Sequence, residues 1–90
     1  MLKILLSEKA EKDLDEMDND TYIQFDRYFD KLCKSLSTRK RPGRHLKHGV
    51  PSPVENVGPG RIIYEVKGDT LIILRCFVNH KDYEKWYKSL

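Results

Sequence analysis

The stretch Gly60 to Phe77 restricts what this chain can fold into more than any other. Arg61 to Val66 is rich in β-branched and aromatic residues, Lys67-Gly68-Asp69 supplies a turn with glycine where φ must be positive, and Thr70 to Val78 is almost continuously apolar. That succession predicts a β-hairpin. A strand apolar on both faces belongs in the middle of its sheet. Arg61 and Arg75 interrupt the two arms. A three-residue loop over Lys67 to Asp69 sets them across from one another on one face, whereas a two-residue loop sets them on opposite faces. A buried guanidinium without a partner costs several kcal/mol, so each arginine must reach water, a carboxylate or an anionic ligand.

The rest of the chain reads as cover for this hairpin. Leu2 to Leu6 predicts a first strand that joins the sheet at an edge, and Ser7 is placed to cap a helix with Glu8 in its first turn. Ala10, Leu14 and Met17 recur at helical spacing among charged residues. Asp18-Asn19-Asp20 ends that helix and starts a second, in which Tyr22, Phe25, Phe29, Leu32 and Leu36 trace an apolar face widened by Ile23, Tyr28 and Cys33. Ser37 to Pro53 holds three prolines and predicts an exposed loop pinned by Leu46. Val54 to Val57 is a short strand before the Gly58-Pro59-Gly60 turn, and Asn79 caps a final helix. The expected order is β-α-α-β-β-β-α: an α+β fold with an N-terminal strand, an αα-hairpin, a three-stranded antiparallel meander and a C-terminal helix.

Ninety residues fit one domain, 1–90, with a single modest core. No window is apolar enough for a membrane span, and Met1 to Leu6 is too short for a signal peptide, so a cytoplasmic protein is expected. Cys33 and Cys76 lack motif spacing and read as reduced core residues. The net charge of +3 is segregated. Residues 1–30 carry nine acids against four bases, while residues 31–54 carry seven bases and no acid. A local basic run beside a sheet is the footprint of a polyanion partner, or simply a solvated loop.

Four segments taken together, Leu46-Lys47-His48-Gly49, Gly60 to Val66, Leu71 to Arg75 and His80-Lys81-Asp82-Tyr83, resemble the RelE/ParE toxin superfamily of prokaryotic toxin-antitoxin pairs. The likeness covers nearly the whole chain. It implies a small ribonuclease that acts on mRNA in the ribosomal A site, needs no cofactor, and is restrained by a cognate antitoxin. Arg61 matches the family's strand arginine, Lys47 its loop lysine, and His80, Lys81 and Tyr83 its C-terminal cluster. Where many members have a second strand arginine, this chain has Glu55-Asn56. A ParE-like branch shares the fold, inhibits gyrase and needs no nuclease residues.

Cleaving RNA without a metal takes a base for the 2′-hydroxyl, cations for the charged transition state and an acid for the departing 5′-oxygen. The imidazole of His80 suits a base or an acid, Arg61 and Arg75 suit phosphate oxygens, and Tyr83 suits stacking or proton donation. The expected catalytic set is Arg61, His80, Tyr83 and Lys81, with Glu55 as a second candidate base. The expected RNA-binding set is Arg39, Lys40, Arg41, Arg44, His45, Lys47, His48 and Arg75. Arg61 has a structural alternative in an ion pair with Glu55 or Glu65 at the sheet rim. His45, His48 and His80 lack the spacing of a metal motif, and no metal is expected.

Overall fold

Ser7 is where strand gives way to helix, and its side chain serves both. Its hydroxyl accepts from the Ala10 N–H at 3.1 Å, capping the first helix, and donates to the Leu74 carbonyl at 2.8 Å, tying that helix to the sheet. The computed structural model describes residues 2–38 and 52–89. Its elements are β1 (Lys3–Leu6), α1 (Glu8–Asp15), α2 (Asn19–Thr38), β2 (Val54–Val57), β3 (Gly60–Lys67), β4 (Thr70–Phe77) and α3 (His80–Lys88). The order is the expected one, and Asn79 caps α3 by accepting from the Asp82 N–H at 2.8 Å. The basic stretch with Arg39, Lys40, Arg41, Arg44, His45, Leu46, Lys47 and His48 lies outside the described residues.

The sheet runs β1-β4-β3-β2, with β1 parallel to β4 and the other pairs antiparallel. The long apolar strand is central and β1 stands at an edge, as its composition predicts. Gly68, at φ +60°, opens a two-residue turn in which Lys67 pairs with Thr70, so the tighter of the two expected loops forms. By itself that loop would separate Arg61 and Arg75. It does not, because the register slips: Tyr64 pairs with Ile73 but Ile63 pairs with Arg75, leaving Leu74 as the extra residue of a β-bulge. Beyond the bulge Arg61 stands opposite Phe77, and both arginines return to one face.

α1 and α2 cover the other face. Ala10, Leu14, Phe25, Phe29, Leu32, Cys33 and Leu36 meet Ile62, Tyr64, Leu71, Ile73 and Cys76 in the main core. Both cysteines are buried and reduced. Phe25 packs directly on Gly60, where a Cβ would lie 2.8 Å from the ring and 2.7 Å from the Phe77 carbonyl oxygen. The predicted helical face is right at its centre and wrong at its start, since Tyr22 and Ile23 are exposed. They precede Phe25, the first residue of α2 in the main core. No described helix is long and apolar enough to cross a membrane.

Candidate functional site

The bulge decides what meets α3. On the α3 side of the sheet a second, smaller core joins Val54, Ile63 and Phe77 to Tyr83, with Leu74, Trp86 and Tyr87 partly buried around it. Tyr83, Trp86 and Tyr87 fall at i, i+3 and i+4, one face of a helix turned to the sheet. Tyr83 is the centre of this cluster, with ring centroids 5.9 Å from Phe77, 6.2 Å from Trp86 and 5.0 Å from Tyr87.

Two of the expected catalytic residues flank the Tyr83 ring. The Arg61 guanidinium carbon lies 6.0 Å from its centroid and the His80 ring 5.8 Å. Arg61 is fixed by the turn before β3, where its Nη1 donates to the carbonyls of Gly60 at 2.8 Å and Pro59 at 3.1 Å. It makes no ion pair with Glu55 or Glu65: Glu65 faces Lys67 at 3.6 Å. Glu55 lies opposite Ile62, on the helical-hairpin face, where the Tyr28 hydroxyl donates to it at 3.2 Å. The second candidate base is therefore on the wrong side of the sheet from Arg61. His80, 55% exposed at the start of α3, has its Nε2 3.5 Å from Glu84 one turn on. Lys81 is exposed beside it.

Tyr83 itself is 1% exposed, and its hydroxyl has no hydrogen-bond partner among the described residues. Burial, with Tyr87 alongside, pushes its phenol up to about 12, against a smaller opposing effect of Arg61. A ring closed in on both faces is not a platform for a base, and so high a phenol is a reluctant proton donor near neutrality. Its helical spacing with Trp86 and Tyr87 was the signal that it belongs to the core.

Arg75 is committed within the chain. Its Nε and Nη2 donate to the Asp13 carboxylate at 2.8 and 3.1 Å, and the same carboxylate accepts from the Cys76 N–H at 3.0 Å. The hydrogen bonds to Asp13 raise the guanidinium further above its ordinary value. Asp13 stands where a neighbouring strand would be: β1 pairs only as far as Ile73, and the carboxylate takes over the open edge of β4. Sequence reading missed Asp13, one of nine acids in the first thirty residues with nothing to mark it out. Desolvation pushes the Cys76 thiol beside it up to about 12, as befits an inert core cysteine. Among the described residues no three His, Cys, Asp or Glu side chains come together to hold a metal ion.

The edge strand, the helical hairpin and the antiparallel meander closed by a C-terminal helix are the architecture that the sequence resemblance implies. Comparison with known proteins agrees. The model of the family described as "ParE toxin of type II toxin-antitoxin system, parDE" matches residues 4–83, and the chain belongs to that family. It is the toxin of a toxin-antitoxin system. Among solved structures, the chain is similar to one from the RelB-RelE antitoxin-toxin complex of Methanococcus jannaschii, at 22% identity and a TM-score of 0.66, covering 91% of this chain and 96% of that one. It is also similar to a copper-bound mutant toxin from Helicobacter pylori, at 24% identity and a TM-score of 0.60, covering 91% and 98%. At these identities the likeness is one of fold. No curated protein matches the chain.

Proposed function

We propose that this toxin is a ribosome-dependent mRNA endonuclease, acting without a metal, and that a cognate antitoxin restrains it. The observation that carries the reading is the pairing of a cation and an imidazole on one face: Arg61 and His80 border the same ring at 6.0 and 5.8 Å. In this reading the 2′-oxygen attacks the adjacent phosphorus and the bond to the 5′-oxygen breaks. His80 moves the proton, Glu84 holds its imidazole, and Arg61 meets the charge that develops on the phosphate. Arg61 is anchored to the turn carbonyls, so it pays little reorganisation at that moment. Tyr83 is the buried support between them, and Lys81 with the basic residues from Arg39 to His48 supplies contacts to the RNA backbone. The antitoxin-toxin complex of the archaeal relative supports a protein partner.

A second reading, a non-catalytic toxin that binds DNA gyrase, is favoured by one specific observation. The further polar groups a nuclease would recruit are engaged elsewhere: Arg75 with Asp13, Glu55 on the far face, and the Tyr83 phenol in the core. Primer extension on mRNA programmed into ribosomes separates the two. Arg61→Ala is expected to slow cleavage by on the order of a hundredfold, the effect of losing one preorganised donor, and His80→Ala by a similar ~10². Cutting at the wild-type rate by both variants, or no cutting by a wild type that arrests supercoiling, overturns the nuclease reading.

A further inference from the structure

Between the end of α1, the last residues of β4 and α3 lies a cleft of about 490 Å³. β1 ends opposite Ile73, so β4 has no strand beside it from Leu74 onward on this side. One wall holds a set of parts already complete within the chain. The Arg75 guanidinium carbon lies 4.9 Å from the centroid of the Phe77 ring, and the Asp13 carboxylate grips its edge through two hydrogen bonds.

The same lining holds a second aromatic ring and two further carboxylates. Trp86, whose ring is 5.4 Å from that of Phe77, lines the cleft together with the carboxylates of Glu16 and Asp82. Among the described residues no Lys or Arg lies over the Trp86 ring, and neither carboxylate has an ion pair. Lys85 is on the same lining but exposed, and it pairs with neither. On the lining the carboxylates of Asp13, Glu16 and Asp82 outnumber the cations of Arg75 and Lys85, a balance that repels phosphate and favours a cation. Tryptophan is the best aromatic acceptor for a cation, and a guanidinium alone combines stacking on a ring with two parallel bonds to a carboxylate.

We infer that this cleft receives an arginine side chain from a segment of a partner protein, its guanidinium against Trp86 and between Glu16 and Asp82. Apolar residues on either side of that arginine meet Met17 and Val78, which border the cleft. The identity of the segment's owner as the antitoxin rests on the function proposed above; the chemistry of the cleft does not.

Trp86 is the one tryptophan in the chain, so its fluorescence reports this cleft directly. The probe is the peptide acetyl-Leu-Val-Arg-Val-Leu-amide, beside a twin with citrulline, which keeps the shape of arginine and loses the charge. A saturable change is expected with the arginine peptide. Binding should be about tenfold weaker for the citrulline twin, and for arginine peptide on a Glu16→Gln, Asp82→Asn variant whose circular dichroism is unchanged. Equal binding of the twin, indifference to the double variant, or no saturable response overturns the inference. So does saturation by guanosine monophosphate with none by the peptide, which would make the cleft a nucleobase site. A last arm uses the co-expressed antitoxin. If the peptide behaves as expected but the double variant holds the antitoxin as tightly as wild type, the cleft stands and the antitoxin as its source falls. Peptide binding by a chain that neither cuts mRNA nor binds an antitoxin refutes the proposed function alone.

Discussion

Replacing Asp13 by alanine removes one carboxylate that serves three donors: Arg75 Nε, Arg75 Nη2 and the Cys76 N–H, at 2.8 to 3.1 Å. The change leaves a backbone donor unpaired on the open edge of β4 and a guanidinium without its counter-charge. Hydrogen bonds to charged groups contribute roughly 1.5–3 kcal/mol each, and breaking a fully buried pair costs about 3–5 kcal/mol. The pair here is only partly buried, with side chains 24% and 15% exposed, so water recovers part of the loss. The expected cost is ~2–4 kcal/mol, or a fall of ~10–25 °C in Tm for a domain of this size. Chemical denaturation of Asp13→Ala, Arg75→Met and the double variant forms the cycle that isolates the pair. The double variant should lose ~1–3 kcal/mol less than the two single changes added together, since no lone charge remains. An Asp13→Ala protein within about 0.5 kcal/mol of wild type, or a cycle that adds without coupling, refutes the reasoning.

Ser7→Ala removes both the cap of α1 and the tie to the bulge carbonyl, and should cost about 1–2.5 kcal/mol in denaturant unfolding; an unchanged stability would refute both roles. Gly60→Ala drives a methyl into Phe25 and the Phe77 carbonyl and should cost ~1–3 kcal/mol, with Phe25→Leu in the same chain recovering part of it. The folded chain holds Tyr83 and Cys76 neutral up to about 12, whereas unfolded they ionise near 10.0 and 9.0. Over that window the unfolded state binds fewer protons, so stability falls as pH rises, and ultraviolet titration should show one tyrosine ionising well after the others. A Tyr83→Phe chain with an unchanged alkaline limb of stability and all its tyrosines still titrating as in wild type would contradict this.

The element order was legible because each segment carries its own period: helical spacing through Ala10, Leu14 and Phe25, and β-branched runs through Ile62 and Ile72. Ser7 and Asn79 announced their helices through capping chemistry, and Gly68 its turn. The bulge at Leu74 was not legible, since it sits in an unbroken apolar run where every register buries something. Yet that single slip sets the face of Arg75 and what α3 meets. Arg61 and His80, both singled out in the sequence, border one ring in the fold, but the sequence could not say that Glu55 points to the opposite face or that Asp13 claims Arg75. Both depend on contacts between elements far apart in the chain. Tyr83 was read for its chemistry when its spacing with Trp86 and Tyr87 spoke for packing.

The most direct test of the proposed activity is the chemistry of the RNA ends. Attack by the 2′-oxygen joins it to phosphorus and releases the 5′-oxygen, and neither step consumes water. After wild-type toxin acts on mRNA-programmed ribosomes in the presence of a chelator, the upstream fragment should end in a 2′,3′-cyclic phosphate and the downstream fragment should begin with a 5′-hydroxyl. Fragments ending in a 3′-hydroxyl and beginning with a 5′-phosphate, or intact mRNA throughout, would contradict the account.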